Sequence, residues 1–133
     1  MFVSRGQFGA RARYKSVDLA SRIEGASPHQ LVQVMFEELL KSIDAMLVAA
    51  RRNDYVQRSE RQSRALSILV ALETSLDFEK GGEIANGLAA IYREARRLLT
   101  VGGRGNDLEA IAGARAMVGE ISGAWESIGR REL

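Results

Sequence analysis

Apolar side chains return every three to four residues along most of this chain, the period of a helix with one buried face, and no stretch alternates with the period of a strand. Ser27-Pro28-His29-Gln30 is the clearest start signal. A hydroxyl at the cap, a proline at the first helical position and a glutamine three residues after the cap make a capping box, with the proline where its missing N–H is not needed. These residues predict a helix from about 28 to 50 that stops near Arg51-Arg52-Asn53. Asp54 with Gln57 predicts a second helix reaching about Leu76. Its first half is polar and its second carries Ala65, Leu69, Leu72 and Leu76 on one face, so it should dock mainly through its C-terminal half.

Asp77 to Gly82 reads as a turn whose paired glycines are free to take positive φ. A third helix follows, with Ile84, Leu88, Ile91, Tyr92, Ala95, Leu98 and Leu99 on one face, and Gly102-Gly103-Arg104-Gly105 is expected to break it. Asn106 is expected to cap a fourth helix, with Glu109 in the capping-box position. Along that helix Ile111, Val118 and Trp125 recur every seven residues, as do Ala114, Ile121 and Ile128, making one continuous seam. Loops of about four to six residues oblige neighbouring helices to run antiparallel. The expected fold is all-α, an up-and-down four-helix bundle over 27–133 preceded by an N-terminal arm over 1–26, with a short helix from Tyr14 to Ile23.

One feature exceeds what a bundle requires. About three apolar positions in seven suffice for a bundle helix, yet fourteen of the twenty residues from 31 to 50 are apolar, among them Val32, Met35, Phe36, Leu39 and Ile43. Such a helix has a second apolar side that the chain's own arm, a second copy or a partner helix would cover. The alternative reading is that extra alanines and helix tilt absorb the excess.

Composition narrows the chemistry. The chain of 133 residues has no Cys and a single His, His29, which excludes Cys-based metal sites, redox dithiols and a two-histidine di-iron site. Gly102 to Gly105 lacks the Lys-Ser/Thr of a phosphate loop. Glu37, Glu38 and Asp44 do not make an acid–base pair, because adjacent helical residues point about 100° apart. No cofactor is expected and no enzyme activity can be assigned. Arg5, Arg11, Arg13 and Lys15 make the N-terminus basic, but the rest of the chain is nearly neutral, so nucleic-acid binding is not expected. The N-terminus has no continuous apolar run, which reads as a cytoplasmic protein without membrane insertion.

The segments YKSV at 14–17, GASPHQLVQVMF at 25–36, SLDFEKGGEIANGLAAIY at 75–92, RRLL at 96–99, ND at 106–107 and AW at 124–125 resemble, in order and spacing, the FliS family of flagellin-specific export chaperones. The resemblance covers nearly the whole chain, which departs from the family pattern at Arg11, Glu37-Glu38 and Gly102-Gly103. It implies a helical bundle that binds the disordered C-terminal segment of flagellin in the cytoplasm, prevents premature polymerisation and assists delivery to the flagellar export gate. It also implies that the arm acts as a lid, with Tyr14 in an apolar pocket. Tyr14 and Val17 lie three apart and share a face of any helix formed there. The expected groove and lid residues are Tyr14, Val17, Val32, Met35, Phe36, Leu39, Ile43, Leu88, Ile91 and Tyr92. The alternative is a structural bundle whose second apolar face makes a homodimer of the free chain.

Overall fold

The computed structural model describes residues 19–132. A short helical segment, α1, covers 19–24. Four long helices follow: α2 (Pro28–Arg51), α3 (Tyr55–Thr74), α4 (Phe78–Gly105) and α5 (Leu108–Glu132), with no strand among the described residues. Each long helix packs on its neighbours in sequence and α5 closes on α2, so the four form a ring around one core. The bundle and its helical class are those expected from the apolar periodicity.

The start of α2 follows from its capping residues. The Gln30 amide donates to the Ser27 hydroxyl at 3.2 Å and the Ser27 amide donates to the Gln30 carboxamide at 2.9 Å. Asp54 caps α3 by accepting from the Gln57 amide at 3.2 Å. The buried residues of α3 are Ala65, Leu69 and Leu72, all in its second half, as the polar first half requires.

The connections are 52–54, 75–77 and 106–107, and the last two are shorter than expected because two glycine clusters lie inside α4. Asp77 caps α4, accepting from the amides of Glu79 and Lys80 at 3.1 and 3.0 Å. The predicted turn at 77–82 is instead the first turn of α4 with a kink at Gly82, whose φ of 49° and ψ of −124° suit glycine alone among the coded residues. Gly102 and Gly103 do not break α4. They are buried, and a Cβ on either would collide with Ile111 or Gln62, so the glycines permit close approach of α5 and α3. The helix ends at Asn106, in the left-handed conformation with φ of 49°. Asn106 is therefore the C-terminal cap of α4, and Asp107 caps α5 by accepting from the Ala110 amide at 3.2 Å.

Asn106 also knits this end of the bundle together. Its side chain donates to the Ala50 carbonyl at 3.1 Å and to Asn53 Oδ1 at 3.3 Å, and accepts from Arg58 at 3.0 Å. One asparagine thus ties the α4–α5 turn to the α2–α3 turn and to α3. The end that holds the α3–α4 turn has a different character, and the candidate site lies there.

Candidate functional site

Half of the apolar residues between 31 and 50 are core: Val34, Phe36, Leu39, Ile43, Met46, Ala49 and Ala50. Flanked by α3 on one side and α5 on the other, this helix buries a wide arc, and Phe36, Leu39 and Ile43 are 1, 0 and 0% exposed. These three expected groove residues are interior and offer no surface to a partner. The two flanking neighbours account for the buried half of these residues, and the rest keep a second, partly exposed apolar side on α2. What remains at the surface is Leu31, Val32, Met35, Leu40, Ala45 and Leu47, half-buried, and the exposed Val48.

The apolar surface opens at the end where α2 starts and α3 turns into α4. There a pocket of about 320 Å³ is walled by Val32 of α2, Leu72 of α3, Leu76 of the α3–α4 connection, Ile84, Ala85, Leu88 and Tyr92 of α4, and Trp125 of α5. Asp77, Lys80 and Gly81 form its rim. Its opening has an identifiable cause. The buried stripe of α4 is Ala85, Ala89, Tyr92, Ala95 and Leu99, one position on from the predicted start at Ile84. Small alanines bring α4 close to the core, while the bulkier Ile84 and Leu88 face the pocket, Ile84 at 76% exposure. The seam of α5 behaves similarly. Ile111 and Val118 are buried, but Trp125 is only partly so and Ile128 is 46% exposed. Trp125 is thus a wall of the pocket and not the core residue its spacing predicts.

Of the expected site residues, the structure brings Val32, Leu88 and Tyr92 together here. Met35 lies in a separate groove of about 360 Å³ between α2 and α3, with Ser63, Arg64, Ser67, Ile68 and Ala71. Ile91 is half-buried and lines neither. Tyr14 and Val17 lie outside the described residues. Sequence reasoning missed Leu76, Ile84 and Trp125 as groove residues. The signal available was that Ile84 and Trp125 flank stripes that the small residues Ala85 and Ser122 already complete.

Three rings support the pocket from below. Phe36 meets Tyr92 at 6.5 Å between centroids and Trp125 edge-on at 6.2 Å. Burial pushes the Tyr92 hydroxyl up to about 12 from its ordinary 10.0, so it stays neutral and leaves the floor uncharged. A raised tyrosine value stabilises the fold fully below about pH 10 and that contribution is lost as pH rises through about 12. Tyr92→Phe is therefore expected to flatten the fall of melting temperature between about pH 10 and 12, measured by circular dichroism against the parent.

The carboxylates are taken up one by one. Glu37 pairs with Arg22 at 2.6 Å, Glu38 with Lys41 and Arg64 at 3.4 and 3.5 Å, and Asp44 with Arg115 at 2.8 Å. Glu38 thereby holds Arg64 at the wall of the Met35 groove. Among the described residues no three His, Cys, Asp or Glu side chains cluster as a metal site would need, and no helix is long and apolar enough to cross a membrane. The arrangement is suited to holding apolar side chains, not to moving protons or electrons.

Comparison with known proteins agrees with this character. The family model described as Flagellar protein FliS matches residues 10–132. The flagellar secretion chaperone FliS of Salmonella typhimurium is 33% identical over 116 residues, covering 86% of each chain. That of Vibrio cholerae is 28% identical over 120 residues, covering 90% of this chain and 88% of its own. The flagellar secretion chaperone FliSB of Pseudomonas aeruginosa is 25% identical over 119 residues, covering 90% and 94%. With a family match that spans nearly every residue and an all-helical bundle that fits it, the chain belongs to the FliS family of flagellar proteins.

Proposed function

We propose that this protein is a flagellar secretion chaperone that binds the disordered C-terminal segment of flagellin, keeps it from polymerising before export and helps deliver it to the flagellar export gate from the cytoplasm. The observation that supports this reading is an apolar pocket open at one end of the bundle, in a chain whose relatives are named secretion chaperones. The work needs no catalysis. Affinity would come from apolar side chains of the client entering the pocket walled by Val32, Leu76, Ile84, Leu88, Tyr92 and Trp125, offset by the ordering of a disordered segment. A belt-like client would place a further side chain in the groove beside Met35. In the free chain, Tyr14 and Val17 would cover part of this surface.

A structural homodimer is the second reading, favoured by the exposed Phe78, Ile84 and Ile128. Native mass spectrometry over a concentration series, with and without a synthetic flagellin C-terminal segment, separates the two. The chaperone reading expects a one-to-one complex at every concentration. A dimer that ignores the segment would establish the structural reading in its place.

A further inference from the structure

Three observations meet at His29, the residue after the proline that opens α2. Its imidazole lies flat on the Trp125 indole, with centroids 4.5 Å apart and planes 6° from parallel. The indole Nε1–H donates to the His29 carbonyl at 3.0 Å, so ring and backbone of one residue hold the same indole. Gly129, four residues beyond Trp125 on α5, completes the arrangement: a Cβ there would collide with the His29 ring, its Cδ2 at 2.8 Å. Any other residue at 129 would push the imidazole from its seat.

Trp125 is held on one face by His29, met edge-on by Phe36, and turned toward the pocket with Tyr92 and Leu88. A half-buried indole with two rotatable bonds would otherwise have to be ordered when a client arrives, which lowers affinity. We propose that His29 and Gly129 are positioning residues for client binding: His29 fixes the Trp125 indole as a preformed wall of the pocket, and Gly129 provides the space in which His29 lies. The capping box at Ser27 and Gln30 fixes the start of α2 and hence the place of His29, which gives that local motif a role in the site. This inference rests on the pocket being the client site.

Trp125 is the only tryptophan, so its emission reports on the stack directly. The full chain is compared with His29→Ala, His29→Phe and Gly129→Ala, reading emission maximum, anisotropy and affinity for the flagellin C-terminal segment. His29→Ala should shift emission to the red, lower anisotropy and weaken binding by about 5- to 10-fold as the indole loses its preorganised position. His29→Phe, which restores a flat ring, should recover all three readouts. Gly129→Ala should reproduce the defect with His29 present. Unchanged emission and anisotropy in His29→Ala would show that the stack does not hold the indole and overturn the proposal. A loosened indole with parental affinity would overturn the positioning role while leaving the chaperone reading intact. Failure of the parent itself to bind the segment would overturn both.

Discussion

Phe36→Ala is expected to cost about 3–5 kcal/mol, a large share of the roughly 5–15 kcal/mol that holds a domain of this size together. The ring is 1% exposed, sits in the core that α2 shares with α3, α4 and α5, and props up both Tyr92 and Trp125. Removing it leaves a cavity that the close-packed neighbours cannot fill. Chemical denaturation should show a markedly lower midpoint with a similar slope, and the melting temperature should fall by more than about 10 °C. A loss under about 1 kcal/mol would show that Phe36 is not at the centre of the core and that the end of the bundle collapses readily around a missing ring.

The second large effect is on binding and leaves the fold alone. Ile84 is 76% exposed on the wall of the pocket, so Ile84→Asp should change stability by no more than about 0.5 kcal/mol. An ionised carboxylate on that wall must be desolvated when an apolar client arrives, and affinity for the flagellin segment should fall at least about tenfold, roughly 1.4 kcal/mol. Val56→Asp is the control: Val56 is 70% exposed in the first turn of α3, at the end tied by Asn106, and its substitution should leave affinity unchanged. Parental affinity in Ile84→Asp together with a loss in Met35→Asp would move the client to the groove between α2 and α3.

The helices were legible in the sequence because their signals are local. Ser27 and Gln30 mark the start of α2 without reference to anything distant, and the polar first half of α3 already indicates which half docks. The glycines were not legible in the same way. Gly102 and Gly103 read as a break because glycine weakens an isolated helix, but in the folded chain they admit Ile111 and Gln62, a contact that exists only once α5 and α3 are in place. The site was hidden for a related reason. Counting apolar residues on α2 singles out Phe36, Leu39 and Ile43, yet the two flanking helices bury them. Ile84 looked like the first residue of the core stripe of α4, whereas Ala85 completes the stripe and frees Ile84 for the pocket. Surplus can be read from composition; where it emerges depends on which small residues let the helices approach.

That the open apolar end is a client site is tested most directly by calorimetric titration of the full chain with the flagellin C-terminal segment at several temperatures. Burial of apolar surface gives a negative heat-capacity change, and ordering of a disordered segment gives favourable enthalpy opposed by entropy. The account predicts saturable one-to-one binding with both signatures, weakened in Ile84→Asp and retained in Val56→Asp. Absence of binding by the parent, or binding that all three proteins share equally, would contradict it.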